Sequence, residues 1–157
     1  MKYAVQLEPA LKYMRSPEEA KDVFLSWQRD DTSFFAAGAC HILAHMFLSL
    51  HPGEGFDLVF IKPTDQFPGN HMYAGNGTWA FDFNGWSLEK DLLRVNEEFA
   101  KVKYPGWSYE RIVIKEGLPE YLKHSNYLRG PEYFPELPWK RAYAYIQSFP
   151  SSQAEKK

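Results

Sequence analysis

The stretch "NHMYAGNGTWAFDFNG", residues 70–85, decides how this chain reads. Asn76-Gly77 between alternating apolar residues is the strongest short-range signal for a β-hairpin. With those two residues as the turn, Ala74 faces Trp79, Tyr73 faces Ala80, Met72 faces Phe81, and His71 faces Asp82. Directly opposed residues share a side of the sheet. Met72, Ala74, Trp79 and Phe81 then form a core face, and His71, Tyr73, Ala80 and Asp82 the other. The alternation alone supports this division, because a slip of one residue would turn the apolar set outward.

A carboxylate beside an imidazole accepts one ring N–H. It fixes the tautomer and leaves the other nitrogen available as a base. Such a base needs something to act on, and the chain has a single cysteine. Cys40 lies in "FFAAGACHILAHMFLSL", residues 34–50, directly after a Gly-Ala step and directly before an apolar helical run. A thiol at a helix N-terminus feels the positive end of the dipole and the free amides there, which favour the thiolate. The same amides, including that of Cys40, are placed to stabilise an oxyanion. Nucleophile, base and orienter thus follow in the order Cys40, His71, Asp82. Trp27, Gln28, Thr32 and Ser33 are upstream candidates for a second oxyanion donor, with nothing to choose among them.

Around these two stretches the chain reads as α+β. "SPEEAKDVFLSWQRDD" predicts a helix over about 17–29. Ser16 is its cap and Pro17 its first residue, with Glu18 and Glu19 at its positive end. "DDTSFFAAG" reads as a connector. The Cys40 helix runs to about Leu50, where "HPGEG" ends it. Its apolar surface wraps most of the cylinder, as in a central, covered helix. "FDLVFIKP" and "WSYERIVIK" read as strands, and "SLEKDLLRVNEEFAKV" as a capped amphipathic helix. "LPEYLKHSNYLR" and "LPWKRAYAYIQSF" read as two short helices around a Pro-rich loop. The expected architecture is N-terminal helices with a central Cys-bearing helix packed on an antiparallel sheet. It forms one domain over 1–150, with a flexible tail at 151–157.

Composition narrows the function. A net charge of -2 with interspersed signs argues against nucleic acid as a partner. Aromatics at 17% predict a ring-rich core and a cleft walled by rings. One cysteine rules out an internal disulfide framework. The opening "MKYAVQLEPALKYMRS" lacks the apolar segment of a secretory leader, and residues 34–50 are short for a bilayer span. The expectation is a soluble cytoplasmic protein without a membrane partner. No dinucleotide or phosphate-loop motif is present, so no cofactor is expected. His41 and His45, one turn apart, read as histidines bonded to neighbours before they read as metal ligands. His51 reads as serving the helix end, and His124 as a surface residue.

Gly38-x-Cys40 with Ala44 four residues on, then His71, then Trp79-x-x-Asp82, resembles the transglutaminase-like branch of the papain-like cysteine hydrolase superfamily. The resemblance spans residues 38–84. Where that branch often has Pro after its Asp, this chain has Phe83. The resemblance implies a Cys40–His71–Asp82 triad and thiol-mediated acyl transfer on a peptide, protein or small amide substrate: hydrolysis, deamidation or crosslinking. Two alternatives stand beside it. One is a catalytically silent domain of this fold that binds a peptide or protein. The other is a metal protein using Cys40 and histidines.

Overall fold

The computed structural model describes residues 6–125 and 128–152. The tail expected at 151–157 therefore lies mostly outside the described residues, as do positions 126–127 of the helical reading of 118–129. Seven α-helices and five strands are present among the described residues. In chain order the first nine are α1 (Pro17–Lys21), α2 (Val23–Trp27), α3 (Asp31–Ala36), α4 (Cys40–Leu50), β1 (Asp57–Pro63), β2 (His71–Gly75), β3 (Trp79–Asp82), β4 (Gly85–Leu88) and α5 (Glu89–Lys103). They are followed by β5 (Tyr109–Ile114), α6 (Leu118–Leu122) and α7 (Trp139–Gln147). Short 3-10 turns cover Ala10–Tyr13 and Pro131–Tyr133. All strand pairs are antiparallel, in the order β4-β3-β2-β1-β5.

The sheet separates two cores. On one face Leu58, Phe60, Met72, Ala74 and Phe81 pack with Ile42, Leu43, Ala44 and Phe47 of α4. On the other face Val59, Ile61, Tyr73 and Ala80 pack with Leu92 and Ala100 of α5. Alternation along each strand drives this division. Helix α4 has the central position its apolar sequence predicts, lying against β1, β2, β3, α3 and α7. Burying one such Leu or Phe side chain contributes about 1.5–3 kcal/mol, so α4 and the sheet stabilise each other.

Local chemistry changed four of the sequence expectations. The helix expected over 17–29 is two helices. Asp22 takes an extended conformation and its side chain accepts the Phe24 N–H, which stops α1 and starts α2. The connector 30–38 contains α3, capped by the Asp30 carboxylate on Ser33 N–H. The helix expected from Ser87 begins at Glu89 with no side-chain cap, because Ser87 and Leu88 pair with β3 in the unexpected strand β4. The Ser87 Oγ is buried and accepts no backbone N–H.

The fourth difference is the hairpin register. Ala74 pairs with Phe81 and Gly75 with Ala80, two residues away from the expected pairing. Asn76 widens the turn by folding its side chain onto it, with Oδ1 accepting the N–H groups of Thr78 (2.9 Å) and Trp79 (2.7 Å). Gly77 has φ +94°, and its N–H donates to Glu89. A shift of two keeps every side chain on its expected face. His71 is therefore not opposite Asp82 but still shares its side of the sheet.

Candidate active site

Helix α4 starts where the chain turns sharply. Gly38 has φ +111°, in the left-handed region, and a Cβ there would lie 3.2 Å from Ser26 Oγ and 3.3 Å from Arg15 Cδ. Only glycine fits both demands. Ala39 follows as N-cap without a side-chain capping bond. Among the described residues, the N–H groups of Cys40, His41 and Ile42 are thus left without side-chain caps at the positive end of an 11-residue helix. Arg29 braces the approach, donating to the carbonyls of Ala37 and Tyr13.

His71 opens β2 and is fully buried, with Asp82 beside it. His71 Nε2 donates to Asp82 Oδ2 at 3.1 Å. The β2–β3 ladder reaches only from Gly75 to Ala74, so the strands part towards His71 and the carboxylate meets the ring diagonally. Asn84 N–H and Nδ2 occupy Asp82 Oδ1. Asn84 is itself tied to the backbone of Glu8 in both directions. The orientation of the carboxylate is thereby set by groups that only donate to it.

Cys40 is half-buried and carries no disulfide. It interacts through its sulfur with two imidazoles, those of His41 and His71. Each ring has already used Nε2, His71 on Asp82 and His41 on the carbonyl of Arg129 at 2.7 Å. In each the buried Nδ1 has no hydrogen bond of ordinary geometry and is the nitrogen left for the sulfur. Burial pushes the thiol up, but hydrogen bonding to His41 and His71 and their charge outweigh it, bringing Cys40 down to about 5. Burial likewise pushes His71 down, and the bonds to Asp82 and Cys40 raise it to about 9. Between those values the thiolate–imidazolium pair is the favoured form.

A cleft of about 360 Å³ opens at this point, with Cys40, His41, Gly69 and Asn70 among its walls. No Phe, Tyr or Trp lines it, against the expectation of a ring-walled cleft, because the rings are used in the core. None of Trp27, Gln28, Thr32 and Ser33 lines it either. Thr32 instead hydrogen-bonds Tyr145, and Trp27 packs on Phe34 and Phe134. Among the polar groups that do border it, Arg15, Asn70 and Arg129 come from segments whose approach only the tertiary fold determines.

The other histidines are apart from this centre. His45 packs on Trp139 with centroids 5.3 Å apart, and burial lowers its pKa. His51 ends α4 and stacks on Phe47. His124 is exposed beside Glu116. Among the described residues no three His, Cys, Asp or Glu side chains converge to hold a metal ion, and no helix is long and apolar enough to cross a membrane. No protein-family model, curated protein or solved structure matches this chain.

Proposed function

We propose that this chain is a cysteine-dependent hydrolase or acyltransferase acting on peptide or amide bonds through Cys40, His71 and Asp82. One observation carries the reading: a buried, carboxylate-oriented imidazole, that of His71, stands with its second nitrogen left for the cleft-lining thiol, which His41 and His71 together draw down to about 5. A packing cysteine has no use for such an environment, whereas a nucleophile does. A Cys-bearing helix lying on an antiparallel sheet supports a transglutaminase-like, papain-like layout.

The chemistry follows from the geometry. The Cys40 thiolate attacks the carbonyl carbon and forms a C–S bond, and the carbonyl electron pair moves onto oxygen. The Cys40 N–H at the α4 terminus donates to that oxyanion. The His71 imidazolium gives its Nδ1 proton to the leaving nitrogen as the C–N bond breaks, leaving a thioester and a neutral imidazole. The imidazole then takes a proton from water or an acceptor amine, which attacks the thioester and releases the thiolate. Asp82 holds Nε2–H throughout and stabilises the ring's charge.

The test is capture of the acyl-enzyme. A panel of peptide and small-molecule amides and thioesters is offered to the protein, and the mass added to Cys40 is read by mass spectrometry. The expected result is a Cys40 adduct that decays in water and is absent in Cys40→Ala. Turnover of any such substrate by Cys40→Ala at the wild-type rate overturns the proposal.

A further inference from the structure

The walls of the Cys40 cleft carry two arginines, Arg15 and Arg129, and no aspartate or glutamate. In a chain of net charge -2 that is a local excess of positive charge at one place. Neither arginine is there by accident of a flexible surface. The segment bearing Arg15 is strapped down by Asn96 Oδ1 on Ala10 N–H and by Asn84 on Glu8. The Arg15 side chain then lies over Gly38, two residues before the nucleophile. Arg129 donates from Nη2 to the Ala20 carbonyl, and its own carbonyl accepts His41 Nε2.

Both guanidinium groups are under-compensated. Arg15 has no salt-bridge partner among the described residues, and burial, then the positive charge of Arg129, lower its pKa, with the Cys40 sulfur opposing them only in part. Arg129 Nη1 is buried without a partner. Glu19, an acid whose charge reaches Arg15, is engaged by Ser16 N–H and lies 3.7 Å from Arg29. Two like charges are held beside one cleft with the Cys40 thiolate as their nearby anion, and one of them keeps a buried donor unpaired, so hydrogen-bonding capacity for an entering oxyanion remains. Guanidinium forks suit oxyanions best, since they offer paired, planar N–H donors.

We infer that the acyl substrate of Cys40 carries an oxyanion group, a carboxylate or phosphate close to its scissile carbonyl, and that Arg15 and Arg129 bind it. The inference rests on the nucleophile reading above and deepens it. The size of the cleft, at the lower end for small-molecule sites, fits a small anionic acyl compound or a single acidic or C-terminal residue better than an extended peptide. The free amides at the start of α4 then serve the second negative charge, the one that develops on the carbonyl oxygen.

The experiment uses two alkylating agents of nearly equal size, iodoacetate and iodoacetamide, on the full chain. In both, the thiolate forms an S–C bond as iodide leaves, and only the former is an anion. The ratio of their rate constants, divided by the same ratio for N-acetylcysteine, isolates the effect of charge. At low ionic strength the expected normalised ratio is about tenfold or more, falling as salt is added. Arg15→Gln is expected to remove most of that excess and Arg15→Lys to keep part of it. Because the neutral reagent is measured on the same sample, a loss of fold shows as a change in both rates. A second arm needs no variant: succinate and inorganic phosphate are compared for protection of wild-type Cys40 against iodoacetamide, with succinamide as neutral control. Protection by succinate alone assigns a carboxylate, and protection by phosphate alone assigns a phosphate. A normalised ratio near one, with no protection by either anion, overturns the inference while leaving Cys40 a nucleophile. Failure of Cys40 to react with either reagent in the native protein overturns both.

Discussion

His71 and Tyr73 stand two residues apart on β2, and each belongs to a buried polar centre, but the two centres are of opposite kinds. Tyr73 donates to Glu89 Oε2, which also receives Arg111 Nε, while Glu89 Oε1 receives the Gly77 N–H. Both oxygens of that carboxylate are used, and its charge is balanced by a guanidinium. Tyr73 is held far towards the phenol by burial and by Glu89. Nothing in that centre waits for a partner. At the other centre, two imidazole Nδ1 atoms make no ordinary hydrogen bond, and both rings interact with one thiol beside a cleft. Buried charge alone therefore does not mark a functional site. What distinguishes the second centre is unused hydrogen-bonding capacity next to open space.

The sharpest way to break this contrast is to remove one member from each side. His71→Ala takes away the cation that opposes the burial of the Cys40 thiolate. The thiol should then rise towards the free value of about 8.5, with His41 alone left to oppose burial, slowing alkylation by iodoacetamide at about pH 6 by up to about 10²-fold. In the wild type the rate should climb through about 5 and level off, because the thiolate is the reactive form above that value. Above about 9 the imidazolium loses its proton, so acyl transfer, which needs that proton for the leaving group, should fall while alkylation persists. Rate constants across the pH range check both arms.

Glu89→Gln should do the reverse. It leaves Tyr73, Gly77 and Arg111 contending for one neutral carbonyl, and an unsatisfied buried group costs about 1–3 kcal/mol. Urea unfolding should register that loss while the alkylation profile of Cys40 stays where it was. If Glu89→Gln moved the thiol as far as His71→Ala does, the two centres would be one network and the contrast would fail.

Asp82 gives a smaller effect with a finer edge. Every neighbour of its carboxylate is a donor: His71 Nε2, Asn84 N and Asn84 Nδ2. An amide oxygen can still accept the ring N–H of His71. Its NH2 would then face the donors of Asn84, which cannot simply flip because Glu8 holds both ends of its amide. We expect Asp82→Asn to lose about tenfold in acyl transfer and Asp82→Ala about 10²-fold, within the range of a positioned acid–base partner. Equal rates for wild type and Asp82→Ala would leave His71 without an orienter and remove Asp82 from the site.

The same contrast explains what the sequence could disclose. The faces of the hairpin were legible because alternation is a local, repeated signal, and a register shift of two does not disturb it. The shift itself was not legible, since it depends on Asn76 folding onto its own turn and on Glu89 reaching the Gly77 N–H. The α4 start was legible from Gly38 and the apolar run. The breaks at Asp22 and before α3 were written as Asx caps, the signal that Ser16 had supplied for α1, but without the flanking Pro. Arg15, His41 and Arg129 had no local signature as site residues. Arg15 and Arg129 reach the Cys40 cleft only because the N-terminal strap and the 128–130 segment converge on one end of α4.

His41 supplies the last and smallest test. It acts on the same sulfur as His71, yet a carbonyl and not a carboxylate stands behind its Nε2. Its cation therefore lacks the support that Asp82 gives His71, and its Nδ1 donates to the thiolate only when the ring is protonated. His41→Gln should slow alkylation at about pH 6 by about threefold to tenfold, well short of the loss in His71→Ala. It should also cost about 1 kcal/mol of stability through the bond to Arg129. Titrating the ultraviolet absorbance of the thiolate in the two single variants and the double variant separates the roles. Coupled, non-additive shifts mean both rings serve one thiolate. A larger shift from His41→Gln than from His71→Ala would make His41 the base and unseat the triad.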